Sequence, residues 1–132
     1  MDGPHRIDPE GRPYDPATVP AKPEAGIAPL LALDLRVGRV VAVEPFPEAR
    51  DPAWRLTVDF GPHVGTLRTS AKVTNYPAEE LLGRTVVGAV NLGTKRVAGF
   101  PSEFLLLGGL EADGTVRLLG VDGDLPPGSV VA

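Results

Sequence analysis

The sequence predicts an all-β protein, a small rolled-up sheet with one short helix. Three observations predict it. Trp54 to Phe60 alternates with period two, placing Trp54, Leu56, Val58 and Phe60 on one face and Arg55, Thr57 and Asp59 on the other. The run Asp34 to Val43 alternates and then slips by one residue after Arg39, near Gly38, as a bulged and strongly bent strand does. A closed barrel needs such a first strand, because one strand must pair at two edges. Finally, the helix signal, Pro77-Ala78-Glu79-Glu80-Leu81-Leu82-Gly83, falls after three strands and before the rest.

Taken in order, residues 1–30 hold seven of the fifteen prolines with five acids and three bases. Proline at that density blocks helix interiors and sheet ladders, so the segment is expected to be an irregular extension, with Tyr14, Val19 or Ile27 as weak anchors. The domain proper is expected over residues 31–132. Its first strand is the bent run from Asp34. Pro45 to Pro52 holds three prolines in eight residues and is a loop. The second strand is Trp54 to Phe60. Gly61 to Gly65 is expected as a turn that exposes His63, and Thr66 to Ser70 as the returning strand of a hairpin. In the helix, proline suits the first position, the glutamates suit the positive N-terminal end, and Gly83 supplies the stop. Strands follow at Thr85 to Asn91 and Phe104 to Leu107. Asp113-Gly114 marks a tight turn into Thr115 to Val121, and Leu125 to Val131 closes the chain. Three strands, a helix, then two or more strands is the order of a five-stranded OB-fold barrel with a C-terminal β-extension. A generic small barrel or an SH3-like β-protein fits the pattern nearly as well.

Composition narrows the function. A length of 132 residues is one domain. Hydrophobic residues at 42% and charged residues at 23% allow a packed core. There is no apolar run of membrane-spanning length and no N-terminal h-region, so neither a membrane span nor a secretory signal is expected. The absence of cysteine excludes disulfides and thiolate chemistry and fits a cytoplasmic protein. His5 and His63 are too far apart for a local metal pair, and no metal or cofactor is expected. Ser70, Ser102 and Ser129 lie in no nucleophile elbow, and Gly93-Thr94-Lys95 lacks the upstream glycine of a phosphate loop. An enzyme is therefore not expected.

The net charge is −4 but unevenly spread. Asp34 to Arg96 carries nine bases against seven acids, whereas Ser102 onward carries one base against five acids. The stretch from Asn91 to Leu107 gathers an amide, the adjacent cations Lys95 and Arg96, Gly99 and the pair Ser102-Glu103 between two apolar runs. Polar and cationic groups so placed suit the rim of a binding surface. On a barrel face, Arg68, Ser70 and Lys72 would join them: cations for phosphates, Asn91 and Ser102 for base edges or riboses.

Several short segments recur in register with the tRNA-binding-domain family. They are Asp34-Leu35-Arg36-Val37-Gly38, Phe46-Pro47-Glu48-Ala49-Arg50, Val58-Asp59-Phe60-Gly61, Thr69-Ser70-Ala71-Lys72-Val73-Thr74, Leu82-Gly83-Arg84, Val90-Asn91-Leu92, Lys95-Arg96-Val97-Ala98-Gly99 and Ser102-Glu103. The chain resembles this family over residues 31–132, and most of all its stand-alone members described as export-related chaperones. The resemblance implies an OB-fold, a homodimer built with the segments flanking the barrel, and no catalysis or cofactor. It also implies tRNA binding by the barrel face and the 91–103 loop, through Arg68, Ser70, Lys72, Asn91, Lys95, Arg96, Ser102 and Glu103. Many tRNA-binding relatives have glycine-methionine after the serine-glutamate pair, whereas this chain has Phe104-Leu105, like the chaperone branch. The alternative implied is therefore an unfolded or pre-export polypeptide held in an apolar groove near the dimer interface, with Phe100 and Phe104 as contacts. Gly93-Thr94 stands where the chaperone-like chains often carry prolines, which implies a more mobile loop.

Overall fold

A computed structural model describes residues 14–132, and the expectations for residues 1–13 lie outside that range. A short helix, α1 (Ala28–Ala32), precedes the sheet, with Pro29 in its first turn. An irregular segment was expected up to residue 30. The proline sits where the helix has no use for its missing N–H, so it starts the helix instead of breaking it. Of the three expected anchors, Tyr14 is buried, Val19 half-buried and Ile27 exposed.

The sheet is organised on β1 (Leu35–Pro45). Its second half, Arg39 to Pro45, pairs antiparallel with β2 (Trp54–Asp59). The register breaks between Val40 and Ala42, so Val41 is the extra residue of a bulge and is exposed. The slip in the hydrophobic alternation announces this bend. A four-residue helix, α2 (Gly61–Val64), replaces the simple turn expected after β2. The Gly61 N–H donates to the Asp59 carboxylate at 2.8 Å, which starts it. The helix leaves His63 exposed and leads to β3 (Thr66–Ala71), which pairs with β2 along its whole length.

Helix α3 (Ala78–Leu81) lies between β3 and β4 (Thr85–Ala89) and buries Leu81. Strand β4 pairs with the first half of β1, from Leu35 to Arg39. A hairpin of β5 (Lys95–Val97) and β6 (Phe100–Ser102) follows, and then β7 (Leu105–Leu106) on the outer edge of β4. A second hairpin joins β8 (Gly108–Leu110) to β9 (Val116–Leu118) through the Asp113-Gly114 turn. The C-terminal β10 (Val130–Val131) pairs with Leu35 and Arg36 on the other edge of β1.

The strand order β3-β2-β1-β4-β7 is that of an OB barrel. Its ends meet where the Glu103 N–H donates to the Arg68 carbonyl at 2.8 Å. The core holds Val40, Leu56, Val58, Phe60, Leu81, Val86 and Phe104. The Phe60 ring lies across Gly38 of β1 and Gly88 of β4, where an added Cβ would come within 2.7 Å and 2.8 Å of it respectively. Phe104 meets the same ring edge-on, with centroids 4.9 Å apart. No helix of the described residues is long and apolar enough to cross a membrane.

Candidate nucleic-acid interface

The expected 91–103 loop is in large part a tight β-hairpin. Val97 pairs with Phe100, leaving Ala98 and Gly99 as a two-residue turn. Both have positive φ, 47° and 80°, as a type I′ turn requires. The Arg96 guanidinium donates to the Gly99 carbonyl at 3.0 Å and braces the turn. This presents Lys95 and Arg96 on an exposed arm.

Beside that arm lies the outer face of β2 and β3. Their register sets Thr57 opposite Arg68 and Arg55 opposite Ser70. The Phe100 ring is flanked by two guanidiniums, Arg68 at 5.3 Å and Arg55 at 5.8 Å from its centroid. Phe46 completes the cluster, 5.5 Å from Phe100 and 5.6 Å from Arg55. Arg55 is further held by donating to the Pro45 carbonyl at 3.1 Å. Two cations are thus fixed on aromatic faces at a half-exposed surface, and their planar guanidiniums suit phosphates.

Arg55 and Phe46 were not among the expected site residues. The signal for Arg55 was present in the period-two alternation, which placed it outward. Phe46 carried no comparable signal in its proline-rich loop.

The other expected residues divide by what their side chains hold. The Lys72 ammonium pairs with Asp51 at 2.8 Å. The Glu103 carboxylate accepts from the Arg68 N–H at 2.9 Å, and the two side chains approach to 4.0 Å. The Ser102 hydroxyl lies 2.8 Å from that of Thr69, which donates to the Phe104 carbonyl at 3.0 Å. Asn91 is apart from this cluster. Its amide oxygen accepts from the Asp34 N–H at 2.8 Å and its NH2 donates to the Ala32 carbonyl at 2.9 Å, stapling the turn between α1 and β1. Phe100 is half-buried at the surface, but Phe104, expected near the rim, is only 4% exposed. The edge-on contact with Phe60 draws it into the core.

A groove of about 910 Å³ runs between β3 and the β5–β6 hairpin. Ser70, Lys72, Lys95, Arg96, Ser102 and Phe104 line it, so it gathers six of the expected residues. Apolar groups including Val73, Leu106 and Val116 also line it. Two exposed groups in the β8–β9 hairpin have shifted acidities. The Thr115 backbone N–H, with its hydroxyl adding to the effect, holds the Asp113 carboxyl below the usual aspartate range. The bond from Arg117 to the Glu111 carboxylate raises that of the guanidinium. Among the described residues, no group of three or more His, Asp or Glu is gathered as a metal site.

An OB barrel with cations and an aromatic on one face is the build of an oligonucleotide-binding domain. The family described as "Putative tRNA binding domain" matches residues 35–130, and the chain belongs to that family. Two chaperone structures are similar along their entire length. CsaA from Bacillus anthracis str. Ames is 45% identical with a TM-score of 0.79, and CsaA from Picrophilus torridus is 38% identical with a TM-score of 0.78. In each case the match covers 83% of this chain and 100% of the other. The methionine–tRNA ligase of Methanococcus maripaludis (strain C5) is 36% identical over 99 residues, which is 75% of this chain. This chain spans only 14% of that enzyme's length, so the likeness is to one domain of it.

Proposed function

We propose that this chain is a non-catalytic, cytoplasmic, homodimeric tRNA-binding protein that uses the barrel face and the β5–β6 hairpin. One observation carries the reading: Arg55 and Arg68 are fixed on Phe100 beside the exposed Lys95 and Arg96. Membership of the tRNA-binding family supports it. Cations meet phosphates and the planar groups meet bases, which needs no bond-making. The separation of Asn91 from that face narrows the proposed surface to Arg68, Ser70, Lys72, Lys95, Arg96, Ser102 and Glu103, with Arg55 added. Dimerisation is supported by apolar side chains left exposed outside the barrel, Ile27 at 63%, Leu31 at 73% and Val130 at 70%. Filter binding of bulk tRNA at about 50 and 200 mM salt tests the function. Affinity should fall steeply with salt and drop about tenfold or more when Lys95 and Arg96 are both alanine. No retention at the lower salt refutes it.

A second reading is supported by the groove. Its apolar lining and cationic rim suit an extended polypeptide, and the two CsaA proteins it resembles are described as chaperones. Suppression of aggregation of an unfolding client at stoichiometric ratio is the test. Equal aggregation with and without the protein removes this reading and leaves the first untouched.

A further inference from the structure

Two unlike sets of side chains line the groove. One is cationic: Lys95 and Arg96 of β5, both exposed. The other is apolar: Leu105 and Leu106 of β7, Leu110 of β8 and Val116 of β9. Two of these leucines are large side chains that the core leaves uncovered, Leu105 at 51% and Leu110 at 38%. Their strands are fixed in advance of any ligand. The Leu107 N–H donates to the Val87 carbonyl at 2.9 Å. The Asn75 amide donates to the Val116 carbonyl at 3.0 Å, and the Leu118 N–H donates to the Tyr76 hydroxyl at 3.1 Å.

Three acids also line the groove, and two of them are engaged within the protein. Asp51 pairs with Lys72 at 2.8 Å, and the Asp113 carboxylate accepts from the Thr115 N–H at 2.9 Å. Glu48 is the third, set against Arg50, Lys95 and Arg96.

Cations next to uncovered leucines match a nucleic-acid strand whose bases are unpaired. Such a strand carries phosphates along its backbone and exposes the flat faces of its bases. A duplex buries those faces in its own stack and offers phosphates and riboses, which leaves Leu105 and Leu110 without a partner. A polypeptide covers apolar groups equally well, but it brings no regular row of negative charge to Lys95 and Arg96.

We propose that the groove takes a short unpaired RNA segment, with its phosphates on Lys95 and Arg96 and its bases against Leu105, Leu110 and Val116. This deepens the first reading above and rests on it. It names the ligand class as single-stranded RNA, such as a loop or an end of a folded RNA, and not a helix. It also makes Leu105 and Leu110 specificity-determining contacts, although neither is polar.

The test is anisotropy with a fluorescein-labelled, unstructured RNA of about 12 nucleotides, within the site size of one OB fold, and a duplex of the same strand length. The single strand should bind about tenfold or more tighter than the duplex at equal salt. The Leu105→Ala/Leu110→Ala double variant should weaken the single strand about tenfold and leave the slope of affinity against salt unchanged, because no cation is removed. Leu105→Met with Leu110→Met, which keeps the apolar area, should bind as wild type. Both side chains are exposed, so the variants should melt at the wild-type temperature. Equal affinity for strand and duplex, or wild-type affinity in the alanine variant, overturns the proposal. Loss of client protection in the alanine variant with RNA binding intact assigns the leucines to a polypeptide and overturns it as well. If bulk tRNA is retained while strand and duplex bind alike, the first reading stands and only this inference fails. Tight, leucine-dependent binding of the strand without retention of tRNA upholds the ligand class and removes tRNA as its source.

Discussion

Replacing Thr69 by valine keeps shape and volume but removes one hydroxyl from the seam that closes the barrel. Thr69 is 2% exposed. Its hydroxyl lies 3.0 Å from the Phe104 carbonyl, to which it can donate, and 2.8 Å from the Ser102 hydroxyl, where either oxygen can be the donor. Valine abolishes both bonds. Ser102 is half-buried and can turn to water, so that loss is small; the carbonyl beneath loses a buried donor. At about 1 kcal/mol for each neutral bond, with part of the desolvation cost of the carbonyl, the expected loss is about 2 kcal/mol. Unfolding entropy of about 2.1 cal/mol/K per residue, over the 132-residue chain, converts this to a midpoint drop of about 7 °C. Trp54, the only tryptophan, reports the transition, because its indole N–H is held by the Tyr76 carbonyl at 3.0 Å against the core. Urea unfolding of wild type, Thr69→Val, Ser102→Ala and the double variant completes a cycle. The coupling between the two sites should be about 0.5–1 kcal/mol. A Thr69→Val loss below about 0.5 kcal/mol, or strict additivity, would show that the hydroxyl pair does not hold the seam.

Three further outcomes follow from the backbone and from charge. Ala98→Gly should raise stability by about 1 kcal/mol in thermal melts, since Ala98 has a φ of 47° that glycine adopts freely; no gain would mean that the turn relaxes at no cost. Gly38→Ala should cost about 2–3 kcal/mol, because its Cβ would lie 2.5 Å from Val58 and 2.7 Å from the Phe60 ring, both fully buried; a near-neutral result would place the ring elsewhere. Asp113 has a folded pKa below the unfolded value near 3.8, chiefly through the Thr115 N–H. Its contribution is therefore fully present above that value and is lost as pH falls through the lower, folded one. Asp113→Asn should accordingly flatten the acid limb of the stability curve, and an unchanged limb would refute the assignment.

Sequence reasoning reached the barrel because its strongest signals were local. The slip after Arg39 predicted a bulged first strand, which the register then placed at Val41, and the alternation from Trp54 to Phe60 indicated which face was buried. It missed what depends on backbone angles that side chains announce weakly. The β5–β6 turn is Ala-Gly where Asn-Gly would have been the signal, so the hairpin read as a loop. Helices α1 and α2 each carry a proline in the first turn, which reads equally well as irregular chain or turn. For the site, the sequence named polar residues but could not say where their polar atoms point. Asn91, Ser102 and Glu103 look identical, as letters, whether they face a ligand or tie one segment to another. Only the fold shows them bonded to Ala32 and Asp34, to Thr69 and to the Arg68 N–H. Arg55 gained its place only once the register with Ser70 was known.

The two-sided pairing of β1 has a consequence for synthesis. Leu35 is bound on one side by Ala89 and on the other by Val131. A ribosome releasing about 5–20 residues per second delivers those partners some 2–8 s apart. Throughout that interval the nascent sheet has one naked margin at its oldest strand, a template on which another emerging chain can zip.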